Sequence, residues 1–162
     1  MAKQDDKTNV MRILDQKGIS YVPHSYDPGD KPVTAVDAAN KLGIPAYSMY
    51  KTLVTKGASG ANYVFVIPGE NELDLKAAAR AVSEKSIVMI KQAELLPLTG
   101  YIHGGCSPIG MKKQFFTCFE EEIILLDTVT VSAGKIGHMI ELDPNELIEA
   151  VSGITAPVCV VK

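Results

Sequence analysis

Met49–Ile67 reads M-Y-K-T-L-V-T-K-G-A-S-G-A-N-Y-V-F-V-I. Met49–Thr55 is rich in residues that favour extended backbone, and Tyr63–Ile67 is a continuous apolar run. K-G-A-S-G-A-N between them is turn-forming. Two such runs around a short Gly/Ser/Asn connection predict a hairpin buried in the centre of a sheet. One residue breaks the pattern. Lys51 stands inside the hydrophobic strand, where an ammonium points either outward to water, the commoner case on composition, or inward to a pocket.

Upstream of the hairpin, Thr8 caps a helix through Val10, Met11, Ile13 and Leu14 at helical spacing, and Gly18 ends it. Ile19–Ser25 alternates as a strand, with Tyr26 at its end before the loop D-P-G-D-K-P. Thr34 opens a second helix with Asp37 near a capping-box position, and Gly43 closes it. Ala46, Tyr47 and Ser48 form a short turn.

Downstream, Pro68-Gly69 closes the second strand, and L-D-L-K-A-A-A-R-A-V is a helix. Ser86–Ile90 is a short strand. Q-A-E-L-L-P-L is a short helix broken at Pro97. Phe115–Phe119, Ile123–Leu126, Val129–Ser132 and His138–Leu142 read as strands. Asp143 and Pro144 are the N-cap and first residue of a last helix that carries Leu147, Ile148 and Val151. The tail A-P-V-C-V-V-K is expected to dock as a final strand. Helices and strands mix without strict alternation, so the expected fold is a single mixed α+β domain over residues 1–162 rather than a doubly wound parallel sheet.

Between the short helix and the next strand lies Gly100–Lys113, G-Y-I-H-G-G-C-S-P-I-G-M-K-K. A stretch this rich in glycine suits backbone N–H groups that face a ligand. The whole chain of 162 residues is 46% hydrophobic and only 6% aromatic, with no tryptophan, so its core is aliphatic. A net charge of −3 argues against a broad basic face for gripping a long nucleic acid. Cys106, Cys118 and Cys159 form no disulfide framework, and with His24, His103 and His138 scattered there is no zinc signature. No signal-peptide core or membrane-length apolar run occurs, which leads to the expectation of a cytoplasmic protein without a membrane partner.

Y-K-T-L (Tyr50–Leu53), the L-D-L-K that begins at Leu73, T-G-Y-I-H-G-G-C-S-P-I-G-M-K-K (Thr99–Lys113) and V-S-A-G-K-I-G-H-M-I-E-L (Val131–Leu142) occur in this order. Together they closely resemble the YbaK/EbsC branch of the YbaK/ProX superfamily, over nearly the whole chain. The resemblance implies a curved mixed β-sheet surrounded by helices, with a pocket on one side. It implies a trans-editing deacylase that hydrolyses mischarged Cys-tRNA(Pro), working on the tRNA(Pro) acceptor end beside prolyl-tRNA synthetase. It implies no metal and no organic cofactor. Related members clear alanine or other wrong amino acids.

The resemblance makes Lys51 the catalytic residue, an inward ammonium that binds the ester carbonyl, the ribose hydroxyls or the terminal phosphate. It places Tyr26, Thr52, Tyr101, Gly104, Gly105, Ser107, Pro108, Gly134 and Lys135 in substrate binding. Tyr26 is otherwise an ordinary amphipathic strand-end residue, and Tyr101 a core tyrosine with a satisfied hydroxyl. Gly104–Pro108 is either a tight turn or a set of donors for the developing oxyanion. Ser107 has no G-x-S-x-G elbow and no triad partners. Cys106 stands where the family has an aliphatic residue and reads as buried and inert, His103 stands at a variable position, and Cys118 and Cys159 read as core. Ala133, Ile136 and Met139 depart from the family pattern, which bears on specificity rather than fold. With no nucleophile in the chain, the cysteinyl thiol of the substrate is the attacking group the family implies. The rival from another class is a non-catalytic module that binds tRNA ends or a synthetase.

Overall fold

A computed structural model describes residues 7–31 and 33–161. Met1–Asp6 of the charged N-terminus, Pro32 of the D-P-G-D-K-P loop and Lys162 of the tail lie outside the described residues. The first helix, α1 (Asn9–Lys17), forms because the Thr8 hydroxyl accepts from the Met11 N–H and Gly18 leaves it at φ 71°. Strand β1 (Tyr21–Ser25) follows, then α2 (Ala35–Leu42). Thr34 and Asp37 complete a reciprocal capping box at the start of α2, each side chain accepting from the other's N–H. A 3₁₀ turn at Ala46–Ser48 leads into the hairpin.

The hairpin is β2 (Tyr50–Gly57) against β3 (Asn62–Pro68), antiparallel, with Tyr50 opposite Pro68. Helix α3 (Leu75–Ala81) starts at Asp74, whose carboxylate accepts from the Lys76 and Ala77 N–H groups. After it come β4 (Ile87–Met89), α4 (Gln92–Thr99), β5 (Phe116–Glu120), β6 (Val129–Lys135), β7 (His138–Leu142), α5 (Pro144–Ala150) and β8 (Ile154–Ala156). The mixed α/β architecture expected of the chain is the one observed. Its sheet is in two hydrogen-bonded parts. The larger runs β4-β2-β3-β5-β8, with β2 and β3 central, and the smaller runs β1-β7-β6. An isolated parallel bridge, Met49 to Thr130, joins them. In the smaller part Glu141 takes His24 Nε2 at 2.8 Å and the Thr128 hydroxyl, tying β1 and the start of β6 to β7.

The aliphatic core forms on both faces of the large sheet. Along β2 alternate residues face opposite ways. Tyr50 and Val54 join Val10, Leu14, Phe119, Ile123 and Ile140 on one face, while Leu53 packs with Phe65, Ile67, Cys118 and Val158 on the other. Cys118 is buried and Cys159 partly so.

Three local expectations are corrected. Ile123–Leu126 is not a strand. Glu121–Leu125 is a 3₁₀ helix, because the Glu120 carboxylate accepts from the Glu122 N–H and turns the chain there; only Ile123 is buried. Helix α4 is not broken at Pro97. It runs on to Thr99, because its end is held by Thr99 Oγ1 donating to Leu95 O and Gly100 N–H donating to Leu96 O. The missing proline N–H costs one bond in an eight-residue helix. The last strand precedes the tail: β8 ends at Ala156, and the tail meets Leu73 only by a bridge at Cys159. It is held instead by the buried Glu120 carboxylate, which accepts from the Val158 and Cys159 N–H groups.

Candidate functional site

A cavity of about 520 Å³ opens along the outer edge of β2, from Tyr50 to Val54. The edge is free there because β4 pairs with β2 only over Thr55–Gly57. The start of α2 forms one wall, with Val33, Thr34, Ala35 and Ala38. This wall can approach because residue 69 is glycine: a Cβ on Gly69 would stand 2.4 Å from the Ala35 Cβ. Met89, Ile90, Gln92 and Leu95, from the end of β4 and the start of α4, form the second wall. His103, Gly104 and Cys106 form the third, and Tyr26, Ser132 and Met139 the fourth.

Lys51 lines this cavity and is partly buried, which resolves the choice between water and pocket in favour of the pocket. Among the described residues it is the only lysine, arginine or carboxylate in the lining. No described carboxylate comes within ion-pair distance of its ammonium. Burial lowers its pKa from the ordinary lysine value, and the nearby Glu72 carboxylate opposes this in part. Such an ammonium acts strongly on a ligand oxygen because little else neutralises it.

The cavity brings Tyr26, Lys51, Thr52 and Gly104 together. The other residues of the substrate-binding set lie outside its lining. Tyr101 is a packing post: its hydroxyl donates to Ile109 O, and its ring and hydroxyl meet Gly134 and Gly110 so closely that a Cβ at either glycine would come within 2.9 Å. Burial pushes its pKa up to about 12. Ser107 is fully buried and accepts from the Ile109 N–H, which makes a turn of S-P-I. Pro108 is buried beside it. Gly105 packs on the second glycine motif, where an added Cβ would lie 3.0 Å from Ile136 N and 3.3 Å from the Lys135 carbonyl carbon. At Gly105 the absence of a side chain lets the two glycine motifs' backbones touch, and Lys135 is exposed where they meet.

Two residues set aside in the sequence do line the cavity. His103 is exposed at its third wall. Cys106 is buried there, and burial pushes its thiol up to about 12, so it stays protonated and a poor nucleophile near neutral pH. Sequence reasoning gave no role to Thr34, Gln92 and Ser132, the further polar lining residues. Thr34 is recognisable only as a helix cap. Ser132 lies within a quoted motif, but nothing local marks its strand as facing the cavity. No group of three or more potential metal ligands occurs among the described residues. No helix among them is long and apolar enough to cross a membrane.

Tyr26 is set by the turn after β6: its N–H donates to Gly137 O at 2.9 Å. Gly137 has φ 89°, and a Cβ there would sit 2.9 Å from Tyr26 O. Gly137→Ala is therefore expected to lower stability by about 1–3 kcal/mol and to push Tyr26 from the cavity wall. Chemical denaturation checks the first effect, and the Tyr26 amide resonance checks the second.

A family model described as the aminoacyl-tRNA editing domain matches residues 31–150. The chain is similar to an Enterococcus faecalis (strain ATCC 700802 / V583) protein assigned as the Cys-tRNA(Pro)/Cys-tRNA(Cys) deacylase EbsC. They are 42% identical over 151 residues, which is 93% of this chain and 92% of that one. It is also similar, at 29% identity over 100 residues, to the proline–tRNA ligase of Fervidobacterium nodosum (strain ATCC 35602 / DSM 5306 / Rt17-B1), covering 62% of this chain and 17% of the ligase. Among solved structures the fold matches a hypothetical protein, APE2540, with TM-score 0.85, 24% identity, and coverage of 94% of this chain and 100% of the other. It likewise matches a structure assigned as a trans-editing enzyme for prolyl tRNA synthetase, with TM-score 0.80, 24% identity, and coverage of 95% and 99%.

Proposed function

The chain belongs to the aminoacyl-tRNA editing domain family, in its YbaK branch, and on that premise we propose that it is a deacylase of mischarged Cys-tRNA(Pro). Its residues 1–162 act as one editing unit that takes the tRNA(Pro) acceptor end while prolyl-tRNA synthetase holds the rest. The observation that carries this reading is the cavity's chemistry: one ammonium, Lys51, and among the described residues no lining carboxylate and no activated thiol. Such a site suits a substrate that brings its own nucleophile.

In the proposed mechanism Lys51 holds the ester carbonyl oxygen and stabilises the negative charge that grows on it. The cysteinyl sulfur forms a bond to the ester carbon, and the bond from that carbon to the ribose oxygen breaks. The proton of the thiol ends on the ribose oxygen, which restores the 3′ hydroxyl, and water then opens the cysteine thiolactone that is left, breaking the new carbon–sulfur bond to give free cysteine. Tyr26 and Gly104 bound the space for the terminal nucleoside and hold the acyl group near Lys51.

Purified protein given Cys-tRNA(Pro) is expected to release cysteine and leave uncharged tRNA. S-blocked cysteinyl and seryl esters are expected to be cleaved far more slowly. Equal rates on the cysteinyl and S-blocked esters would exclude attack by the substrate thiol. Rapid cleavage of alanyl ester would move the assignment to another small amino acid, and tight binding without cleavage would make the protein a binding module. Cys106→Ala is expected to keep the rate within about twofold, since a protonated buried thiol contributes no nucleophile. Loss of the activity in that variant would make this a thiol enzyme.

A further inference from the structure

The free edge of β2 is interrupted in a specific way. Gly57 N–H donates to Ala61 O and Gly69 N–H donates to Met49 O, so odd-numbered residues of β2 turn their main-chain groups toward β3. Even-numbered residues turn theirs the other way. On that side Val54 O accepts from Ile90 N–H at 3.3 Å, after which the chain leaves for α4. At the other end of the edge the Met49–Thr130 bridge closes the sheet. Thr52 lies between these two closures, with its N–H and C=O aimed at the cavity it lines and no strand beside it.

A second observation falls on the same residue. Thr52 Oγ1 is the one buried side-chain nitrogen or oxygen among the described residues that has no hydrogen-bond partner. An unmet buried hydroxyl is costly, and valine would fill the same space without that cost. Among the described residues, donor, acceptor and hydroxyl thus stand without a partner at one point of the cavity edge.

We propose that Thr52 reads the α-amino ester of the substrate as one residue of an antiparallel strand. The inference rests on the deacylase reading and names the group that site recognises. In a hydrogen-bonded antiparallel pair, two residues exchange both N–H···O bonds. An aminoacyl ester carries the matching pair: an α-ammonium that donates and a carbonyl oxygen that accepts. The α-ammonium donates to Thr52 O, and Thr52 N–H donates to the ester carbonyl oxygen. The Thr52 hydroxyl donates to the ribose oxygen of the same ester. The acyl group takes the place that a residue of β4 would hold opposite Thr52 had that strand continued. Lys51, the next residue, lies beside the same carbonyl. The substrate class is therefore an ester of an α-amino acid with its amine free.

The test uses two stable amides of 3′-amino-3′-deoxyadenosine, one alanyl and one propionyl, which lacks the amine. Each is titrated into ¹⁵N-labelled protein, with Cys-tRNA(Pro) cleavage measured in parallel. The alanyl amide is expected to bind about tenfold or more tighter, as one charge-assisted hydrogen bond implies. Its binding is expected to move the Thr52 amide resonance most. In these amides an N–H takes the place of the ester's ribose oxygen, so the Thr52 hydroxyl accepts there; Thr52→Val is expected to weaken binding several-fold, with recovery in Thr52→Ser. Equal affinities, an unmoved Thr52 amide, or no binding of either amide overturns the proposal. Equal affinities with cleavage intact sink the strand-edge contact alone. Selective binding of the alanyl amide without cleavage sinks the deacylase reading and leaves the contact standing.

Discussion

Lys51→Ala is expected to lower Cys-tRNA(Pro) cleavage by about 10² to 10³-fold while the protein stays folded. The size follows from the setting. Lys51 is the single lining ammonium, partly buried and without an ion-pair partner among the described residues. A charge so placed is worth far more to a developing oxyanion than the same charge in water. Its strand is held by neighbours on both sides: Lys51 pairs with Ile67 in the ladder, and Tyr50 and Val54 anchor the core. The variant should therefore unfold near the wild-type midpoint. Lys51→Arg is not expected to rescue activity, since a planar guanidinium cannot occupy the position of a compact ammonium. The pH profile gives an independent check. Burial lowers the Lys51 pKa from the ordinary lysine value. In the proposed mechanism the active form is the protonated one, so cleavage is expected to fall as pH rises through that lowered pKa, earlier than an exposed lysine would predict. The enzyme-dependent fall should vanish in Lys51→Ala. Wild-type cleavage that stays level up to the ordinary lysine pKa would show that burial does not lower the Lys51 pKa, and cleavage that stays level well beyond it would show that the ammonium is not required.

Glu120→Ala is expected to cost about 3–5 kcal/mol of stability, the largest effect away from the cavity. Glu120 is only 5% exposed, yet its carboxylate has three main-chain partners. One oxygen accepts from Val158 and Cys159 at 3.0 and 3.2 Å, and the other from Glu122 at 3.1 Å. Removing it leaves three N–H groups unmet and releases the tail that packs Val158 into the core. Urea denaturation measures the loss, and hydrogen exchange at Val158 and Cys159 locates it. Glu120→Gln keeps an acceptor oxygen and should lose less. A stability change below about 1 kcal/mol would show that the three N–H groups find other partners.

Much of this molecule is local and was legible along the chain. Thr8, Thr34 and Asp143 cap helices, and Gly18 and Gly43 end them with positive φ. Those roles depend on a few consecutive residues. The hairpin was equally plain from two runs and one turn. Errors arose where a side chain outside the segment decided. Ile123–Leu126 has strand composition, but the carboxylate of Glu120 bends it into a 3₁₀ turn. The tail looks like a strand, but β8 forms just before it, and Glu120 holds the rest. Lys51 was visible as a misfit in an apolar strand; the direction of its side chain was not.

For the site, the sequence by itself determined the chemical parts: a lysine in the central strand, a threonine beside it, and two glycine-rich motifs. Only the tertiary structure decided how they are used. It packs the glycine motifs against each other and against Tyr101, so that of the first motif's proposed binding residues only Gly104 lines the cavity. It ends β4 opposite Thr55, with one further bond at Val54, and seals β2 again at Met49, which leaves the outer edge of Thr52 facing the cavity with no described strand beside it. The physical reason is that capping, turning and alternation are set within a few residues of chain. Which edge of a strand stays open is set by the register of segments tens of residues apart.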